Sequence, residues 1–182
     1  MKTSGMPALA LVVLVLMGCE KAKAPSEVNV TYTVHFQGQS RQVTFAGEFD
    51  KTVNGYCALS DSGNATYPKM MTLRVLRNTG PDDNHELQIG RLLMRESPSD
   101  ELLSCDGVHI NFNATYEAAS NHVACGSVDE GKCAIRTVVY DKKEKRIEGS
   151  FECGEFPTTA MVGPDPVPMS ITGGTFMVTH CD

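Results

Sequence analysis

The chain has 182 residues, 16 basic and 22 acidic side chains, and a formal charge of -6. A mildly acidic chain without a dense basic stripe argues against nucleic acid as a partner. The absence of tryptophan removes the usual core marker of a true immunoglobulin domain.

At the N-terminus one cation, Lys2, precedes an uncharged run from Pro7 to Met17, and small Gly18 stands directly before Cys19. Charge, apolar core and small residue in that order make a signal peptide over residues 1–18, and the run falls short of the roughly 20 residues that span a bilayer. Leu16-Met17-Gly18-Cys19 resembles the lipobox of bacterial lipoproteins, with Met17 where Ala, Ser or Thr is commoner. That resemblance implies cleavage before Cys19, a diacylglycerol on its sulfur and, usually, a third acyl chain on the new amino group. Each buried methylene contributes roughly 0.8 kcal/mol, so a protein carrying two or three chains stays with its membrane. In that family Glu20, rather than Asp, beside the lipidated cysteine favours the outer over the inner membrane.

Residues 19–27 then read as the lipidated N-terminus and a solvated linker. Residues 28–182 read as a single β-rich domain. Fully extended at roughly 3.3 Å per residue, Glu20 to Glu27 would hold that domain within about 26 Å of the membrane. Without residues 1–18 the chain loses only Lys2 among its charges, leaving 15 basic against 22 acidic side chains and a charge of -7.

Setting Cys19 aside leaves Cys57, Cys105, Cys125, Cys133, Cys153 and Cys181. An even set in an exported chain implies three disulfides, and six cysteines allow 15 pairings. The most local candidate is Cys125 with Cys133, because Gly126-Ser-Val-Asp-Glu-Gly131 can reverse the chain between them. Cys153 and Cys181 each end a strand-like run, which suits ties between distant parts of a sheet.

Val28, Val30, Tyr32, Val34 and Phe36 alternate with polar residues, the period of a strand with one buried face. After Gln37-Gly-Gln-Ser40, Val43, Phe45 and Phe49 continue the pattern, which predicts a β-hairpin. Val108, Ile110, Phe112, Ala114 and Tyr116 alternate as clearly, with His109 on the polar face. Less regular strands are predicted over Met70 to Arg77, Glu86 to Arg95, Cys133 to Tyr140, Arg146 to Cys153 and Met169 to His180, with a bulge at Gly90. Asn54-Gly55, Ser62-Gly63-Asn64, Gly80 to Asn84 and Val162 to Pro168 read as turns. Lys142 to Arg146 reads as a solvated hairpin turn, Gly173-Gly174 as a strand bend, and Ser97 to Ser104 as one short helical turn. The fold class expected is all-β, an antiparallel β-sandwich or partly closed barrel of about eight strands, stapled by disulfides. Tyr140 to Phe151 and Ile171 to Val178 are similar to the closing strands of many β-rich bacterial lipoproteins, which implies the fold class and no particular activity.

No catalytic constellation emerges. There is no Gly-x-Ser-x-Gly elbow and no His-Glu-x-x-His pair. His122 with Cys125 and Cys133 could form a thiolate and imidazole metal site, but the spacing is not that of a zinc finger and an oxidising compartment favours disulfides. His35, His85, His109 and His180 are scattered and read as surface residues. Asp82, Asp83 and Asn84 lack the ligand spacing of a calcium loop. Neither cofactor nor metal is expected. The sequence therefore predicts a membrane-anchored, non-enzymatic binding module of the bacterial envelope, with a protein, glycan or small-molecule ligand carried chiefly by residues 61–69, 78–86 and 154–168. An envelope hydrolase or metal-dependent enzyme with a non-contiguous site, and a structural envelope protein, are the alternatives.

Overall fold

A computed structural model describes residues 24–78, 83–95, 102–103, 105–114, 117–126, 132–157, 159–160 and 168–181. The apolar leader, Cys19 and, apart from residues 102–103, the helical turn expected from Ser97 to Ser104 lie outside the described residues.

The first alternating run forms β1 (Glu27–Phe36), and β2 (Gln39–Glu48) returns against it in unbroken register from Phe36↔Gln39 to Glu27↔Glu48. Gln37 and Gly38 reverse the chain with φ of 51° and 75°, the paired positive values of a two-residue hairpin whose twist matches its strands. Next along the chain come β3 (Asn54–Asp61), β4 (Lys69–Asn78), β5 (Asp83–Met94), β6 (Gly107–Ala114), β7 (Glu117–Cys125), β8 (Lys132–Asp141), β9 (Arg146–Pro157), β10 (Thr159–Ala160) and β11 (Pro168–Val178). The turn from β8 to β9 is the cationic one, and Asp141 Oδ1 accepts the amides of Lys143 and Glu144 there at 2.8 and 3.1 Å.

The strands lie in the order β2-β1-β11-β9-β8-β7-β6-β5-β4-β3, with β10 against β7. The two ends of that order, β2 and β3, are joined by residues 49–53 alone, across a parallel bridge between Phe49 and Val53. The sheet must therefore curl until its edge strands approach at this corner, and the result is an eleven-strand half-barrel. Near the seam Arg77 Nη1 donates to the Thr44 carbonyl of β2 at 3.1 Å, so a side chain of β4 occupies an acceptor on the edge strand.

The expectation of about eight antiparallel strands is corrected in number and in one pairing. β7 and β8 run parallel over Ala124↔Lys132 and Cys125↔Cys133, making the sheet mixed. β3 replaces the turn expected at Asn54-Gly55, because Gly55, at φ 137°, lets the backbone pass close to the Arg74 carbonyl within a paired strand. The bulge near Gly90 is present: the β4–β5 register shifts between Met71 and Leu73, and Arg91 takes φ 44°. Its effect is to switch phase, so that Leu87 and Ile89 before it and Leu92 and Met94 after it all face the core. Gly173 likewise bends β11, at φ 60° beside a second register shift.

The core is formed by the inner faces of both halves of the sheet, with Tyr32, Phe45, Phe151, Phe156 and Phe176 among its bulk. Tyr32 stacks on Phe45 at 6.3 Å and meets Phe151 edge-on at 5.7 Å. Met71, Met94 and Met169 fill space beside them and are fully buried.

All six cysteines after Cys19 are bridged, as Cys57–Cys181, Cys105–Cys125 and Cys133–Cys153. The local pairing of Cys125 with Cys133 is overturned, although those two residues are neighbours in the parallel register. Cys133 is buried and stands directly opposite Cys153, with Cα atoms 4.0 Å apart, whereas half-buried Cys125 reaches back to Cys105 before β6. Cys153 therefore joins adjacent strands rather than distant ones. Cys181 does make a distant tie, from just beyond β11 to edge strand β3.

Candidate functional site

The face of β3–β6 turned away from the core carries a row of polar side chains fixed by register. Cys57, Leu73, Leu87, Ile89, Val108 and Ile110 point inward, so the alternate residues point outward. Tyr56 pairs with Arg74, Arg74 with Gln88, and Gln88 with His109, giving one line across four neighbouring strands. At roughly 4.8 Å per strand that line is about 14 Å long. His122 of β7 continues the backbone register opposite His109, but its side chain lies outside the described residues.

In the next line along the strands the β5 and β6 positions have no side chain. Ala58 pairs with Thr72, and Gly90 with Gly107. The missing bulk leaves a solvent-open hollow of about 410 Å³ lined by Arg74, Glu86, Gln88, Gly90, Gly107 and His109. Beyond the two glycines it is continued by a smaller hollow of about 170 Å³ between Met70, Arg91, Leu93, Cys105 and Asp106. The two hollows follow one another along β4, β5 and β6 as a shallow trough, with the polar row at one end and Met70, Leu93 and a half-buried disulfide at the other.

The charges in the trough are paired. Arg74 Nε donates to Glu86 Oε1 at 2.7 Å, a diagonal contact from β4 to β5. This hydrogen bond, and then the charge of Glu86, hold the guanidinium more firmly protonated than usual. Across the glycines Arg91 Nη1 lies 3.6 Å from Asp106 Oδ2, and Arg91 Nε contacts the Met70 sulfur at 3.2 Å. Tyr56 is 46% exposed at the end of the row, one of two large hydrophobic side chains so exposed among the described residues.

The remaining histidines do not converge here. His35 bridges Ser40 and Thr172 hydroxyls at 2.8 and 2.7 Å on the polar face expected for it. The surface reading of His85 is corrected: it is 1% exposed on the inner face of β5, paired in register with Arg77. His180 is half-buried behind Cys181. Among the described residues no group of three or more His, Cys, Asp or Glu is placed to hold a metal ion. The loop at 61–69 closes on itself, with the Ser62 amide on the Pro68 carbonyl at 3.0 Å and Asn64 Oδ1 accepting from Thr66 at 2.8 Å. Asp82 and residues 161–167 lie outside the described residues, and residues 154–157 belong to β9.

Compared with protein-family models, curated proteins and solved structures, the chain matches none.

Proposed function

We propose that the protein is a lipid-anchored module of the bacterial cell envelope, held by Cys19 in the outer membrane, that binds a ligand without chemically altering it. The observation that carries the anchored reading is that every cysteine after Cys19 is consumed by a disulfide, which suits an oxidising, exported setting and leaves Cys19 for acylation. Binding is supported by the trough. It lies on a stapled sheet, its volume falls in the range of ligand sites, and its Arg74 and Glu86 are engaged with each other rather than aimed at a reacting atom. A sandwich-like closure of the two half-sheets would give that surface a rigid backing.

Two measurements test this. Intact mass of the mature protein is expected to begin at acylated Cys19 and to lack six thiol hydrogens; a chain that begins at Met1 overturns the anchor. Polysaccharide, peptidoglycan and lipid fractions of the parent envelope are passed over immobilised protein, with Gly90→Leu as the variant whose trough is filled. A component retained by the natural chain and lost from Gly90→Leu is expected. Retention of nothing from any fraction overturns the binding reading.

A further inference from the structure

The geometry points to a neutral oligosaccharide as the occupant of the trough, lying along β4–β6 with the polar row of Arg74, Gln88 and His109 at one end. This rests on the binding reading above and adds the ligand's chemistry to it.

Four observations converge. First, both arginines in the trough are matched by a carboxylate, Arg74 by Glu86 and Arg91 by Asp106, so the site offers fixed hydrogen-bonding groups and almost no net charge. A strongly acidic or basic ligand would have to break these pairs, whereas hydroxyl groups can share them, donating to Glu86 and accepting from Arg74. Second, Gln88 stands between Arg74 and His109 with an amide that both donates and accepts, which suits a ligand whose hydroxyls do the same. Third, the two hollows differ. Polar side chains line the first while Met70 and Leu93 line the second, a pairing that suits the polar rims and apolar C–H faces of successive sugar rings. Exposed Tyr56 closes the row with an aromatic surface on which such a ring can stack. Fourth, the floor is backbone. At half-buried Gly90 a flat ring can approach the sheet more closely than over a side chain, and the row is longer than a single ring.

The trough suits a polypeptide less well. An added peptide strand needs the unpaired amides and carbonyls of a sheet edge, and the trough lies on a face where those groups are already used by the ladders of β4, β5 and β6.

The test uses the full mature chain in detergent and isothermal titration calorimetry. Neutral probes are the hexasaccharides of α-linked glucose, β-linked glucose and β-linked N-acetylglucosamine, with delipidated surface polysaccharide of the parent cell as a separate arm. Polygalacturonate and glucosamine hexamers supply the charged comparison. Binding of one neutral probe is expected, with its monosaccharide weaker by at least about tenfold. Heat release with the cell's own polysaccharide assigns the ligand to the envelope, and heat release with the purified hexasaccharides alone assigns it to the surroundings.

Gln88→Ala is expected to weaken binding by about tenfold, the loss of one or two good hydrogen bonds. Gly90→Leu is expected to abolish it. A Cβ at Gly90 would meet its nearest atoms, the Gly107 carbonyl oxygen and Asp106 Cβ, at ordinary contact distances of 3.5 and 3.6 Å, and a thermal melt checks that Gly90→Leu is folded before its binding is read. Silence from every neutral saccharide, tighter binding of a charged hexamer, or binding that survives both substitutions overturns the inference. If saccharides fail while an envelope component, such as a peptide, is still captured in a Gly90-dependent way, the ligand class is wrong and the binding reading stands. If nothing is captured, both fall.

Discussion

The ring of Phe176 on β11 lies over the bare backbone of Gly149, its cross-strand partner on β9. Two residues away the relation is reversed, with Phe151 of β9 covering Gly174 of β11. Each aromatic side chain fills the space that its glycine partner leaves, and all four residues are buried. A methyl group at Gly149 would run into both the Phe176 ring and the Arg136 carbonyl of β8. Gly149→Ala is therefore expected to destabilise the fold by about 1–3 kcal/mol, the usual range for overpacking. Gly90→Ala, where only ordinary contacts await, is expected to stay within about 0.5 kcal/mol of the natural chain. Urea midpoints of the two variants check the contrast.

Tyr32 predicts a response to alkali. Its hydroxyl is buried with no hydrogen-bond partner among the described residues, and burial pushes the phenol above its usual range, with Arg77 pulling the other way. The folded chain thus keeps the proton where the unfolded chain releases it. The contribution is fully present below the unfolded value of about 10 and falls by about 1.4 kcal/mol per pH unit above it. Tyr32→Phe is expected to lose this part of the alkaline destabilisation and to gain about 1 kcal/mol at neutral pH, because an unsatisfied buried hydroxyl is removed. Thermal melts at pH 7 and pH 11 measure both effects.

The disulfides are expected to differ in worth. Cys57–Cys181 closes a separation of 124 residues, against 20 for each of the other two. Replacing both members by alanine is expected to cost about 4–5 kcal/mol for the long bridge and about 3 kcal/mol for Cys105–Cys125 on chain-entropy grounds. Accessibility orders them differently. Cys105 and Cys125 are half-buried while the other four cysteines are buried, so mild reductant should open Cys105–Cys125 first, as thiol alkylation and peptide mapping would show.

At the seam, Arg77→Met is expected to free the Thr44 carbonyl and destabilise the fold by about 1.5–3 kcal/mol, as for a hydrogen bond to a charged donor. Amide exchange should rise in β2 and leave β6, deep in the sheet order, unchanged. Equal acceleration in both strands would mean that Arg77 supports the whole core rather than the edge.

Strands with one large apolar residue at every second position can be read directly from the sequence, and β1 and β6 are the clearest cases. β3 is hidden because Asn-Gly is a strong turn signal, and only the sheet shows that Gly55 is needed for close passage beside Arg74. β7, Glu-Ala-Ala-Ser-Asn-His-Val-Ala-Cys, has too few large residues to display a period. The outward phase of His109 is legible, but the trough is not. Its polar row depends on three separate registers, and its glycine floor on where the β5 bulge falls, and neither is encoded by local spacing. Disulfide pairing fails for a related reason: closeness in sequence favours Cys125 with Cys133, whereas the direction of each side chain decides which sulfurs meet.

The curled topology also sets an order of events for a chain that emerges from its N-terminal end. β1 can form its hairpin with β2 at once, but its other neighbour is β11, the last strand of the series. Until β11 arrives, the inner edge of β1 has nothing to pair with and Cys57 has no Cys181. The meander from β3 to β7, built from successive neighbours, can assemble in the meantime. Completion of the sheet is thus the slow, long-range step, and the interval before it is when an unprotected strand edge is most open to mispairing with another chain.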